Sequence, residues 1–315
     1  MTIGELFSLI LPVFALIAVG AVLRRFHWIE GAAEASLVRL VVNVLTPCLV
    51  FDTVVGNPAL RDPGNLFLPP LAGFLTTVVG LGVATLVARG IGLKVGTGLR
   101  TFAFAAGVCN YRYIPFPIAG ALWGARAQGV VIIFGFGVEL ALFTVGLVIL
   151  TGASIRDEWR RLVSPMLITL VGSVAINMSG LAPHVPEFAG GLARSLGACA
   201  IPIGTVMIGV SLADYLDDPA RLLHWNVALG SCAVRIMIVP ALCLCLACWL
   251  PWPTDLKRVI VVEAAMPAGV FPIILARHYG GQPLTAVQVV VATTAVGLVT
   301  CPLWIRAGLA WVGIA

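Results

Sequence analysis

Four ionisable side chains, Arg112, Glu139, Arg235 and Glu263, stand deep inside stretches that are otherwise apolar. A charge at hydrocarbon depth costs several kcal/mol and faces the protein interior or a water-filled cavity. Two positive and two negative groups sum to zero, so they could form two buried ion pairs that fix helix register, and this reading is open for Arg235 and Glu139. Arg112 differs, because it sits in Asn110-Tyr-Arg-Tyr-Ile-Pro-Phe-Pro117 among amide and phenol groups. Its planar, permanently charged fork suits a carboxylate held by two hydrogen bonds, which makes it a candidate substrate contact. Glu263 precedes Pro267 by four residues and shares its helical face. Glu263 and Glu139 are the candidates for coupling to H⁺ or Na⁺, unless they merely neutralise an arginine.

Asn110, and Asn43 one turn before Pro47, offer a donor and an acceptor without charge, which suits a site that must bind and release. For Asn43 a helix-to-helix hydrogen bond is the competing reading. Tyr111 and Tyr113 could cap a cavity or pack the interior. The four histidines, His27, His184, His224 and His278, fall in loops or at the ends of apolar stretches, and Cys243, Cys245 and Cys248 lie in one apolar run without a fourth ligand. No metal site and no cofactor is expected from these patterns.

Proline breaks place these groups. Proline inside a helix removes a backbone donor and exposes polar groups that hydrocarbon cannot satisfy. Pro47 pairs with Pro202 and Pro117 with Pro272 at the same offset of 155 residues (47 to 202, 117 to 272), which also aligns Phe116-Pro117-Ile118 with Phe271-Pro272-Ile273. Met266-Pro-Ala-Gly-Val-Phe-Pro272, with Gly269 between its prolines, matches the first break in depth. Paired broken helices are the strongest sequence pointer to a transporter's binding site. If they cross, the half-helix N-termini aim partial positive charge at one point, which favours an anion.

The elements around these breaks follow from composition. With 60% hydrophobic and 10% charged residues in 315, and a mean hydropathy of +1.06, the chain is too apolar for a soluble domain. About 20 apolar residues cross the ~30 Å hydrocarbon layer. Cutting at charges and turn residues predicts ten spans: 6–25, 37–56, 67–89, 101–122, 129–151, 164–181, 195–213, 225–250, 259–276 and 286–305. The first reads as a retained helix, not a cleaved signal. The charged stretch Ile155-Arg-Asp-Glu-Trp-Arg-Arg161 divides a first repeat, 1–151, from a second, 164–315, through a cytoplasmic connection at 152–163. Five spans per half is an odd number, so the second half is expected to be inverted. One face carries ten loop Lys and Arg residues and the other six. The richer face is expected to be cytoplasmic, with both termini outside the plasma membrane. The net charge of +5 is carried by these short loops, which argues for topology over nucleic acid.

The segments Asn43-Val-Leu-Thr-Pro-Cys-Leu-Val-Phe51, Ile201-Pro-Ile-Gly-Thr-Val-Met-Ile-Gly-Val-Ser-Leu212 and Met266-Pro-Ala-Gly-Val-Phe-Pro-Ile-Ile-Leu-Ala-Arg-His-Tyr-Gly280 resemble the auxin efflux carrier family over essentially the whole chain. The family also carries an asparagine seven residues before a proline in span four, as Asn110 and Pro117 stand here. The resemblance implies a scaffold of spans one, two, six and seven and a mobile unit of the other six. It further implies substrate beside the crossing, with Asn110, Pro117, Pro267 and Pro272 framing it, and a homodimer. Arg112 departs from that family's usually uncharged stretch and suggests a more strongly anionic ligand than auxin.

The function these readings favour is movement of a small organic anion, a mono- or dicarboxylate, by potential or by coupled H⁺ or Na⁺. The alternatives are an intramembrane enzyme or a receptor without transport. The enzyme needs paired membrane-depth aspartates, a Ser/His pair or an HExxH helix, and the sequence holds none of these. For a receptor, matched broken helices would be an unexplained cost.

Overall fold

The computed structural model describes residues 3–152, 164–216 and 224–314. The expected connection at 152–163 lies, apart from Gly152, outside the described residues, as does 217–223. The described chain is helical, with a single isolated antiparallel bridge, Cys109 to Ala268, and no strand. Its helices are α1 Ile3–Arg25, α2 Gly31–Val54, α3 Pro63–Gly90, α4 Leu99–Gly107, α5 Pro115–Thr151, α6 Pro165–Met178, α7 Glu187–Leu216, α8 Trp225–Trp249, α9 Thr254–Ala264, α10 Phe271–His278 and α11 Pro283–Val312.

Among the described residues seven helices, α1, α2, α3, α5, α7, α8 and α11, are long and apolar enough to cross a membrane. The expected fourth and ninth spans are each interrupted, by residues 108–114 and 265–270: the ninth is two short helices, α9 and α10, and the fourth is the short α4 followed by the first part of α5. The expected sixth is α6, at 14 residues. The expected fifth is continuous with the second half of the fourth except at Gly124, whose φ of 71° and ψ of −164° leave the helical region. Without a Cβ that conformation carries no steric penalty.

Prolines act here in two ways. Pro47 and Pro240 follow widened π-type turns at Val41–Leu45 and Ala233–Ile238, so α2 and α8 bend without stopping. Pro115, Pro117 and Pro272 instead sit in the first turn of a half-helix, where a missing N–H costs nothing. The breaks therefore lie on the N-terminal side of Pro117 and Pro272.

Glycines set the helix packing. A Cβ on Gly20 of α1 would stand 1.9 Å from the Val206 carbonyl oxygen of α7, and one on Gly209 of α7 would stand 1.9 Å from Ile17 O. Gly73 of α3 and Gly137 of α5 approach Phe134 O and Pro70 O in the same way, at 2.2 and 1.9 Å. In lipid, where apolar burial gives no drive, such backbone approach is what holds helices together. α1 and α2 pack on α7, and α2 also packs on α6; α3, α4, α5, α8, α9 and α11 pack on one another. The outward faces keep Leu11, Phe67, Leu75, Leu86, Ile168, Leu229 and Met237 exposed. Trp28, Trp225 and Trp249 are exposed at helix ends, the position of an interfacial aromatic belt.

Candidate functional site

The two interruptions cross. Asn110 N donates to Pro267 O at 2.8 Å and Gly269 N donates to Val108 O at 3.0 Å, so each loop satisfies backbone groups that the other leaves open. A third donor, Ala268 N, is taken by the Thr293 hydroxyl of α11 at 3.2 Å. Gly269 fits because a Cβ there would lie 2.8 Å from Cys109 O.

Asn110 is 95% buried, and its Oδ1 accepts from Tyr113 N at 3.1 Å and Ile114 N at 3.4 Å. It thereby closes the turn that leads into α5, a use of its oxygen that the sequence did not distinguish from ligand binding. Pro117 sits in that helix's first turn outside the cavity wall, and Pro267 contributes its carbonyl to the crossing.

Beside the crossing lies a cavity of about 160 Å³. The crossing loops supply Asn110, Tyr111, Arg112 and Gly269, and α10 supplies Pro272. Glu139 and Phe143 enter from α5. The facing wall comes from α2, α6 and α7 through Val41, Thr46, Met166, Gly204, Met207 and Ser211. Most of this wall is apolar, and it is the part that residue chemistry alone did not reveal. One legible trace was Gly204 in Ile201-Pro-Ile-Gly, where a Cβ would lie 2.0 Å from Tyr113 Cε1, so the tyrosine ring seats directly on α7.

Among the described residues Arg112 is the one cation in that wall, 9% exposed. Its Nη2 donates to Glu139 Oε1 at 2.7 Å and lies 3.1 Å from Met166 Sδ. The Tyr111 hydroxyl donates to the same carboxylate oxygen at 3.1 Å, and the guanidinium stands 5.3 Å from the Tyr111 ring centroid. Both contacts use one guanidinium nitrogen. Arg112 therefore belongs at once to an ion pair and to the cavity wall, two roles that the sequence treated as alternatives.

The remaining buried charges are arranged differently. Arg235 and Glu263, each 3% exposed, line a separate space of about 10 Å³ with Thr76, Thr77 and Cys109. Arg235 Nη2 donates to Met266 O at 3.3 Å, steadying the second crossing loop. Cys109 Sγ lies 3.7 Å from Glu263 Oε2. Among the described residues Arg235 Nε and Glu263 Oε1 have no hydrogen-bond partner, and a space of that size holds one water. Glu263 thus stands behind the crossing, outside the main cavity.

Asn43 lies off this cavity. It is exposed, and its Nδ2 donates to Arg39 O in its own helix at 2.9 Å. One turn from Pro47 is the right depth, but the helical face is wrong.

A family model described as membrane transport protein matches residues 6–158 and again residues 153–305. A protein of Methanothermobacter thermautotrophicus described as an uncharacterized transporter is 26% identical over 302 residues, covering 94% of this chain and 96% of that protein.

Proposed function

Because the chain belongs to the membrane transport protein family, that of the auxin efflux carriers, we propose that it carries a small organic carboxylate across the membrane by alternating access. The observation that carries this reading is a cavity beside two crossing interrupted helices with a single guanidinium in an otherwise mostly apolar wall. That wall favours a monocarboxylate with an apolar body over a dianion, because among the described residues a second carboxylate finds no second cation there.

The reading includes ten spans in two inverted repeats, 1–151 and 164–315, with both termini outside the plasma membrane. In it α1, α2, α6 and α7 form a scaffold and the other helices a unit that slides past it, elevator-like. α1 and α2 pack chiefly on α7, with smaller contacts from α1 to α5 and α11 and from α2 to α5, which supports that division. The cavity fits it too, since its wall is shared between the two groups and any sliding would reshape it. A homodimer through the scaffold follows from the family resemblance.

The test is uptake of radiolabelled small carboxylates into proteoliposomes under imposed pH, Na⁺ and voltage gradients. The wild-type chain is expected to accumulate a monocarboxylate, and Arg112→Ala to lose that uptake while keeping its elution profile and helical content. Uptake by Arg112→Ala at the wild-type rate refutes the assignment of Arg112.

A further inference from the structure

The Arg112–Glu139 contact decides what an arriving carboxylate must do. Arg112 and Glu139 are 10% and 17% exposed at their side chains, and their charges cancel. Arg235 and Glu263 stand behind the crossing, in a separate space outside this cavity. A monoanion that docks on Arg112 would leave the group with one net negative charge inside the low-dielectric bundle, at a cost of several kcal/mol. The chemistry that would repel it is already in place, because Glu139 is a carboxylate tethered on the cation that the substrate needs.

The geometry points to Glu139 as the proton carrier of this site: the arriving carboxylate takes Arg112, Glu139 takes one proton, and anion and proton move together. This rests on the carboxylate reading of the cavity. The step balances, since a solvent proton adds to the Glu139 carboxylate to give the acid, and the Arg112 N–H···O contact passes to the substrate. The Tyr111 hydroxyl, 3.1 Å from Oε1, remains as a neutral donor to the acid's carbonyl oxygen. The displaced group therefore keeps a hydrogen bond without keeping a charge.

The titratable groups facing Glu139 are Arg112 and Tyr111 in contact, with Tyr113 beyond them. Glu263, Cys109 and Arg235 form the cluster behind the crossing. On the other elements around α5, the charged groups are Glu5, Arg24 and Arg25 on α1, Glu34, Arg39 and Asp52 on α2, Arg61 in the turn before α3, Arg89 on α3, Arg100 on α4, Asp255, Lys257 and Arg258 on α9, and Arg277 and His278 on α10, and none of them lines the cavity. Asp52 is held by Arg194 at 3.4 Å, and Asp255 by Arg126 and Arg258 at 3.0 and 3.4 Å. α6 carries no titratable group. Glu139 is thus the carboxylate that shares Arg112 with the cavity.

The test is calorimetric titration of the full chain in detergent with benzoate, in two buffers of different ionisation enthalpy. Wild type is expected to take up about one proton per benzoate, and its Kd to rise roughly tenfold per pH unit where Glu139 is ionised free and protonated in the complex. Glu139→Gln should bind benzoate with no proton uptake and a Kd flat in pH, while Glu139→Asp should keep the uptake. Wild-type binding without proton uptake, or a Gln variant that retains the pH slope, overturns the proposal and leaves the carboxylate reading standing. If Glu139→Gln does not fold, the wild-type stoichiometry alone decides. A wild-type chain that binds neither benzoate nor any other small carboxylate removes the carboxylate reading, and this inference with it.

Discussion

Replacing Gly269 with alanine tests whether the crossing itself holds the site together. The added Cβ would stand 2.8 Å from Cys109 O and 3.4 Å from Cys109 C, and both are backbone atoms that no rotamer change can move aside. Ordinary van der Waals contact needs more than half an ångström of additional separation. The loops would have to part by about that much, and the two bonds that join them, at 2.8 and 3.0 Å, would stretch to the edge of hydrogen-bonding distance. Each buried backbone group left unsatisfied costs about 1–3 kcal/mol and each lost bond leaves two such groups, so loss of one bond implies roughly 2–6 kcal/mol. The assay is thermal unfolding in detergent alongside uptake into proteoliposomes. Gly269→Ala should unfold well below wild type and carry little substrate. Gly82→Ala serves as the control, because a Cβ there meets nothing within 4 Å, and alanine at a helix interior is neutral or mildly stabilising. If Gly269→Ala matches the control in both stability and uptake, the crossing is not the rigid frame described here.

Asn43→Ala should leave uptake unchanged within twofold, since the side chain bonds only its own helix at Arg39 O and lies off the cavity wall; a loss of carboxylate affinity in a competition assay would put Asn43 back in the site. Gly20→Val and Gly209→Val should each break the α1–α7 seam, where backbone oxygens stand 1.9 Å from the added Cβ, and lower the unfolding temperature more than Gly172→Val, a position with open space. Equal melting curves for the three would remove the seam from the account.

The breaks were legible because their cause is local. Proline removes a donor wherever it stands, so Pro117 and Pro272 marked the interruptions without knowledge of neighbours. Which side of the proline the chain opens on was not legible, because a proline that kinks a helix and one that starts a half-helix look alike until the preceding backbone is seen. Gly124 was missed for a related reason: a lone glycine in an apolar run carries no sign that φ must reach 71°. Arg112 and Glu139 could each be identified, but their pairing depends on tertiary approach between the crossing loop and the middle of α5. The facing wall of the cavity was least legible of all, since Val41, Met166 and Met207 look like any lipid- or core-facing residue. Only their arrangement across from Arg112 gives them a role.

The two buried charge pairs show how the same residue types part by surroundings. Arg235 and Glu263 share a space that admits one water, and Arg235 spends a donor on the Met266 carbonyl of the second crossing loop. A charge in that position stabilises the interruption and has no room for a solute. Arg112 and Glu139 border a space about sixteen times larger (160 against 10 Å³), open to apolar walls on helices from the other packing group. A cation there meets a partner that can be exchanged. Volume at the charge, more than the charge itself, separates a structural pair from a binding one, and no spacing of residues in the chain encodes it.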